Sequence, residues 1–370
     1  MSHLMQASNQ WANRPADERF LSLPAMQAHF DAQRAASREV VVSNRRLLLE
    51  PTPDNKGLVV VDAAATAPGD TSIGYAPTHF AFGQLAALAE APAGYLRTLP
   101  SPIAADCVNY GLQYKRNIEE IGTLLYRNGG EPVLRAATGP RYGRIWNTEI
   151  IASLIRHFGD GINGHFRVPG EFGQRVEVTK ANTTLYGGDR DMFVFLADEE
   201  RRIAVPNRRD GAAGEMARGF FCWNSEVGSA TFGVATFLFD YVCCNRIVWG
   251  AEHYKEITIR HTVSAPDRYV EQLVPALESY AAGSTADVTQ AIAHAQAARI
   301  DNIDDFLAKR FSKRQTVAIK AAHEADEGRP IETLWDATTG VTAFARSVGY
   351  QDQRVALERE AGRIFDLASA

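Results

Sequence analysis

The stretch at residues 219–244, GFFCWNSEVGSATFGVATFLFDYVCC, constrains this chain most: two long apolar runs meet at one polar turn, and Asp240 is the only charge in the second run. Segments apolar on every side must be buried on more than one side, so this piece belongs to the interior. Phe220 to Asn224 reads as a strand. Ser229 to about Cys244 reads as a helix lying between a sheet and other structure, with Asn245 able to take the left-handed conformation that ends it. It is too often interrupted, by Asp240, Asn245 and Arg246, to supply the ~18 uncharged apolar residues that would span a bilayer.

The flanking pattern fills in the rest of an α+β fold. Val40 to Val42 and Gly57 to Asp62 predict a hairpin or edge-strand pair around the turn-forming PTPDNKG. Thr78 is placed to cap a helix carrying Phe82, Leu85 and Ala86. Val133 to Thr138 predicts a strand, and Ile150, Ile151, Leu154, Ile155 and Phe158 follow a 3.6-residue period. That helix would be capped by Asn147 or Thr148 and stopped by Gly159. Residues 166–168, 176–184 and 192–196 predict three strands, and 256–263 a fourth, half-buried by its alternation. After Ala265 only helices are predicted, including one from Asn302 to about Ala325. The expected architecture is a central antiparallel sheet packed on a long buried helix, followed by a helical C-terminal region. Four regions are expected: a loose arm with one short helix (1–37), an N-terminal α+β region (38–131), the sheet-and-helix core (132–264) and the helical region (265–370).

Composition excludes several classes. With 370 residues, 45% apolar and 22% charged, the chain is neither disordered nor coiled-coil-like. A net charge of -5 argues against a uniformly basic nucleic-acid coat. The opening MSHLMQASNQ has no charged region before an apolar stretch, so no secretory signal is expected. Cys107, Cys222, Cys243 and Cys244 read as reduced, buried thiols, and a cytoplasmic location follows.

Common catalytic signatures are missing, and no cofactor is expected. HEADE, His323 to Glu327, has a glutamate where a metalloprotease helix needs its second histidine, and reads as a solvated helix face. Cys222, Cys243, Cys244, His253 and His261 are zinc-type ligands without zinc-type spacing, so no metal site is expected. Asp189 and Asp191, either side of Arg190, could hold Mg²⁺ but equally make a hairpin turn. Asn224, Ser225, Glu226 and Gly228 sit where the first run would turn into the helix. Backbone amides there could hold a phosphate, or the polar side chains could simply cap the helix.

Charge is unevenly spread. Arg127, Arg135, Arg141 and Arg144 stand against Glu131 alone in 121–148, interleaved with Tyr126, Tyr142 and Trp146. Cations for phosphates and rings for bases suit single-stranded nucleic acid. Residues 201–218 hold Arg201, Arg202, Arg208, Arg209 and Arg218 against Asp210 and Glu215, and residues 306–322 hold Lys309, Arg310, Lys313, Arg314 and Lys320 with no acid.

Several stretches together resemble the phage- and plasmid-related proteins of domain-of-unknown-function family 932. They are FGQLAALAEAPAGYLRTLP (82–100), VLRAATGPRYGRIWNTEII (133–151), GFFCWNSEVGSATFGV (219–234), YVCCNRIVWG (241–250), IRHT (259–262), LWDATTGVTAFAR (334–346) and LEREAGRIF (357–365). The resemblance implies a mobile-element setting and no particular activity. The order of three strands, a Gly-rich turn and then a long buried helix after NSEVGS is also similar to the core of single-strand annealing recombinases. From the patches and these resemblances the chain is expected to bind single-stranded DNA as a homo-oligomer and to aid annealing, recombination or replication of a mobile element. Two other functions stay open: a metal-dependent enzyme acting on nucleic acid through Glu226, Asp189 and Asp191, or an interaction protein that blocks a host nuclease or defence factor.

Overall fold

A computed structural model describes residues 15–62, 74–115, 117–127, 129–169, 175–206, 208, 211, 213–240, 245–247, 257–348 and 351–368. Among these the chain is an α+β fold with a large antiparallel sheet and C-terminal helices. In chain order the first half runs α1 (Leu23–Ala35), β1 (Ser37–Ser43), β2 (Leu47–Pro51), β3 (Leu58–Asp62), β4 (Ala76–Pro77), α2 (His79–Leu88), α3 (Ala93–Leu96), α4 (Ser101–Tyr110), β5 (Glu120–Tyr126), β6 (Val133–Thr138) and α5 (Asn147–Phe158). The strands β7 (Phe166–Arg167), β8 (Leu185–Gly187), β9 (Met192–Asp198), β10 (Ile203–Val205), β11 (Gly214–Asn224), β12 (Phe232–Asp240), β13 (Asn245–Ile247) and β14 (Ile257–Ile259) follow. The chain closes with α6 (Ala265–Arg268), α7 (Val274–Ala282), α8 (Ala286–Ala297), α9 (Ile303–Ala308), α10 (Lys313–Glu327), α11 (Leu334–Ser347) and α12 (Gln351–Asp366).

The large sheet is ordered β13-β12-β11-β9-β7, with β10 on β11, β14 on β12 and β8 on β9. A smaller sheet, β1-β5-β6-β4, is antiparallel except for the parallel β4–β6 pair. The hairpin expected around PTPDNKG is β2–β3, whereas Val40 to Val42 pair with β5 instead. Thr78 caps α2 as expected, its Oγ1 accepting from the Ala81 amide at 3.1 Å. Residues 176–184 are not a strand; β8 starts only at Leu185.

The helix expected from Ser229 is the main correction. Where described, this segment is β12, paired antiparallel with β11 from Met216↔Asp240 to Trp223↔Gly233. The reason lies in the faces. Phe232 and Val234 point into one core with Phe220 and Cys222, and Ala235 and Phe237 into an aromatic layer with Phe193, Phe195, Phe221 and Trp223. A sheet buried on both faces produces a strand apolar all round, which periodicity cannot tell from a buried helix. Gly233 and Gly219 are needed for this layer: a Cβ on Gly233 would stand 2.1 Å from the Trp223 ring, and one on Gly219 2.3 Å from Phe237. Asn245, expected to end a helix, opens β13, and residues 241–244 lie outside the described residues.

The buried helix packed on the sheet is α5, with Ile150, Ile151, Leu154 and Phe158 inward and Gly159 ending it at φ +83°. The short helix expected in the N-terminal arm is α1. It is part of the core, since Leu23, Met26 and Phe30 repeat on one face and are buried beside α5. The C-terminal helices enclose a second core around Trp335, Ile364 and Phe365. The single helix expected over 302–325 is broken at residues 309–312 into α9 and α10, where Ser312 forms a capping box with Gln315.

Candidate nucleic-acid interface

The NSEVG segment is a turn between β11 and β12, so there is no helix N-terminus to hold a phosphate or to be capped. Its side chains instead lock the two sheets together. Asn224 Nδ2 donates to the Ile145 carbonyl at 2.8 Å and to Asn147 Oδ1 at 2.7 Å. Ser225 Oγ donates to the Arg190 carbonyl at 2.7 Å and accepts from the Ser229 amide at 2.9 Å. From the smaller sheet's side, Gln84 donates to the Val227 carbonyl at 2.8 Å and accepts from the Ala137 amide at 3.0 Å. Gly228 sits at φ +92°, the left-handed backbone that suits glycine.

Glu226 is the centre of this knot. Its Oε1 accepts from the Asn147 amide at 2.8 Å, so the first turn of α5 is capped by a distant carboxylate rather than by Asn147 or Thr148. Its Oε2 meets Arg135 Nη2 at 3.0 Å, with the side chains 2% and 3% exposed. Arg135, expected to meet phosphate, is therefore turned inward.

Beside the knot, planar groups stack into a ladder. Arg34 lies over Trp146 at 5.0 Å, Arg144 over Trp146 at 5.7 Å and over Tyr142 at 5.1 Å, and Tyr142 stacks on His261 at 4.8 Å with a 21° interplanar angle. The Tyr142 hydroxyl donates to the Ser225 carbonyl at 2.7 Å, and burial pushes its pKa up, so it stays protonated. His261 Nδ1 lies 3.0 Å from the Gly143 carbonyl; because a carbonyl can only accept, the ring carries its proton there. Burial lowers the His261 pKa to about 4, with the Gly143 carbonyl opposing and the Arg144 charge assisting the fall. The backbones come unusually close here: a Cβ on Gly143 would stand 1.8 Å from the Thr262 carbonyl oxygen.

Two carboxylates with large exposed surface neutralise the ladder. Glu149 pairs with Arg34 at 2.7 Å, and Glu39 pairs with Arg144, whose side chain is 4% exposed, so that Arg144, expected to meet phosphate, is turned inward like Arg135. Arg34 was not singled out by sequence because it lies more than a hundred residues from Trp146, and only the packing of α1 on α5 joins them. His261 reads in sequence as a zinc-type ligand and as one position of an alternating strand, and neither reading joins it to Tyr142.

The remaining expected residues are dispersed. Arg127 and Arg141 are exposed at opposite ends of the β5–β6 pair. Arg208 is 2% exposed, its Nε donating to Glu327 at 2.7 Å and its guanidinium 5.9 Å from the Trp335 ring, so it is a core residue of the helical region. Arg209 lies outside the described residues. Lys309, Lys313 and Arg314 are exposed around the α9–α10 junction, while Arg310 packs over Phe306 at 4.3 Å and pairs with Glu360 at 3.5 Å. HEADE is a solvated face only at Glu324 and Ala325: His323 and Glu327 are buried, His323 beside Asp336 and Thr339.

The metal-dependent reading gains nothing from the geometry. Among the described residues no three of His, Cys, Asp or Glu gather as a metal ion requires. Asp191 is buried against Arg190 at 3.1 Å, and Glu226 is held by Arg135. Cys222 is buried and its thiol pKa pushed up by burial, whereas Cys107 is exposed rather than buried; Cys243, Cys244 and His253 lie outside the described residues. No described helix is long and apolar enough to cross a membrane. No family model, curated protein or solved structure matches the chain.

Proposed function

We propose that this chain is a phage- or plasmid-type protein that binds single-stranded DNA in the cytoplasm and aids annealing, recombination or replication of a mobile element. The observation that carries the reading is the ladder Arg34–Trp146–Arg144–Tyr142–His261, an alternation of cations and rings of the kind a single strand needs, with Arg34 exposed at its rim, Trp146 half-buried beside it and Arg144 buried behind. Glu149 occupies the exposed Arg34 in the unbound protein, and an incoming phosphate replaces it, while Arg144 stays buried against Glu39. Exposed Arg127 and Arg141 extend the positive surface beyond the ladder, and Lys309, Lys313 and Arg314 form a separate patch. Self-association has a surface available in Ile103, Tyr110 and Tyr114, which are exposed along one side of α4 and the turn after it, with the two tyrosine rings 5.7 Å apart.

Fluorescence anisotropy of a labelled single-stranded oligonucleotide across a salt series tests the proposal. Binding is expected to weaken steeply with salt. Trp146→Ala should reduce affinity by roughly 5- to 150-fold, the ~1–3 kcal/mol of one aromatic–base stack. Absent binding at low salt, or binding indifferent to both salt and Trp146, refutes it.

A further inference from the structure

Between α1, the β4–β6 edge and the β8–β9 turn lies an open cleft of about 410 Å³. That volume falls within the ~300–1,000 Å³ of small-molecule sites. Gln33, Tyr126, Arg135 and Asp189 line it together with Thr78 and Val133. Two of these side chains hold buried polar atoms with no hydrogen-bond partner, the Gln33 Oε1 acceptor and the Arg135 Nε donor. Arg135 is otherwise engaged: Nη2 faces Glu226, and Nη1 donates to Ser37 Oγ at 3.4 Å. Leaving a buried donor and a buried acceptor unmade is costly, and doing so in the wall of one cleft gives the pair a use only when the cleft is filled.

The polar pattern specifies the occupant. Arg135 is already neutralised by Glu226, and Asp189 is exposed in the cleft wall, so a phosphate would be repelled from the interior. The groups on which the cleft's pairing turns are two acceptors, Gln33 Oε1 and the acceptor-only Asp189 carboxylate, and one donor, Arg135 Nε, with the Gln33 amide NH2 and the Tyr126 hydroxyl as further polar groups in the wall. An exocyclic amine has two hydrogens for two acceptors, with a ring nitrogen or carbonyl beside it for the donor; thymine has a single N–H. Tyr126 supplies an aromatic wall of the kind against which extruded bases rest. We propose that the cleft takes one amine-bearing nucleobase, edge first, with its sugar and phosphate directed outward. Resting on the single-stranded DNA reading above, this assigns the cleft to one unstacked base of the bound strand; a free nucleotide carries the same edge.

The experiment compares oligo-dC and oligo-dA with oligo-dT of equal length by anisotropy, using wild-type protein, Gln33→Leu and Asp189→Asn, with cytidine monophosphate titrated by calorimetry in parallel. Wild type should prefer the amine-bearing strands by about ten-fold, and Gln33→Leu should erase that preference while oligo-dT binding is kept. Asp189→Asn, on an exposed turn, should narrow it and serves if Gln33→Leu does not fold. Cytidine monophosphate binding without strand preference, lost in either variant, supports the cleft with a free nucleotide as its occupant. Equal binding of all strands with no monophosphate binding overturns the cleft assignment and leaves the ladder standing. If no strand binds, the ladder reading fails, and the monophosphate titration alone decides the cleft: binding supports it and none overturns it.

Discussion

Glu226→Gln isolates the electrostatic part of the knot that joins the two sheets. The substitution keeps shape and leaves an amide oxygen able to accept from the Asn147 amide, now 2.8 Å from Oε1. What it removes is the negative charge 3.0 Å from Arg135 Nη2, in a place where the two side chains are 2% and 3% exposed. Breaking a buried pair from one side strands the other charge, and costs about 3–5 kcal/mol. Loss of the carboxylate at the start of α5 adds roughly 0.3–1 kcal/mol through the helix dipole. A domain of ordinary stability, about 5–15 kcal/mol, would survive that loss with a clearly lower midpoint. Urea denaturation followed by tryptophan fluorescence reads the difference. The double variant Arg135→Met/Glu226→Leu should recover most of the loss, because replacing both members of a buried pair by apolar groups is often close to neutral. A Glu226→Gln variant within about 1 kcal/mol of wild type, or a double variant as unstable as the sum of its singles, refutes the account of this pair as a coupled unit.

Glu149→Gln, which releases the exposed Arg34, should raise single-stranded DNA affinity about two- to five-fold at low salt, the ~0.2–1 kcal/mol of an exposed ion pair, and Glu39→Gln should raise it less because its partner Arg144 is buried. Anisotropy checks this, and unchanged affinity in both would mean that the acids do not shield the ladder. Stability should rise with pH between about 4 and 6.5, because His261 refuses in the folded state a proton that the unfolded chain accepts below 6.5. His29 and His323 are lowered too, chiefly by burial, and add the same sign; denaturation midpoints across that window should flatten in His261→Gln. Gly219→Ala should cost about 1–3 kcal/mol through overpacking, since its Cβ would lie 2.3 Å from the Phe237 ring and 2.8 Å from the Leu196 carbonyl; a melting scan showing no loss would contradict the packing of that face. Gly143→Ala should weaken DNA binding without touching a cation, by forcing the Thr262 backbone and hence His261 away from Tyr142, and unchanged affinity would remove His261 from the ladder.

Local signals carried those elements whose burial is one-sided or whose ends are marked. Helix α5 was legible because its buried stripe repeats every 3.6 residues and glycine ends it; β6, buried on both faces, was legible because it is short and bounded by Pro132 and Gly139. Strand β12 was not legible as a strand, since both of its faces are buried and Phe232, Ala235 and Phe237 satisfy either period. The site split in the same way. Tyr142, Arg144 and Trp146 lie close enough in sequence to be read together, and the structure does bring them together. Arg135 and Arg208 looked alike in sequence and are buried ion-pair members, because their partners Glu226 and Glu327 lie about ninety and a hundred and twenty residues further on. Net local charge counts such arginines as surface, which is why the 201–218 patch shrinks once Arg208 and Arg218 are found paired inside.

The arginine turned inward also explains how the interface and the core are coupled. Arg135 lines the cleft with one group and holds Glu226 with another, while Glu226 fixes the first amide of α5, that of Asn147, the residue next to Trp146 of the ladder. Tyr142, at the ladder's other side, hangs from the Ser225 carbonyl of the same turn. A base seated against Arg135 Nε and a strand stacked on Trp146 and Tyr142 would thus press on one rigid element, the NSEVG turn, from two directions. Rigid shared support makes the two contacts energetically dependent, so substitutions at Gln33 and Trp146 should show non-additive effects on affinity for amine-bearing strands and additive effects on oligo-dT.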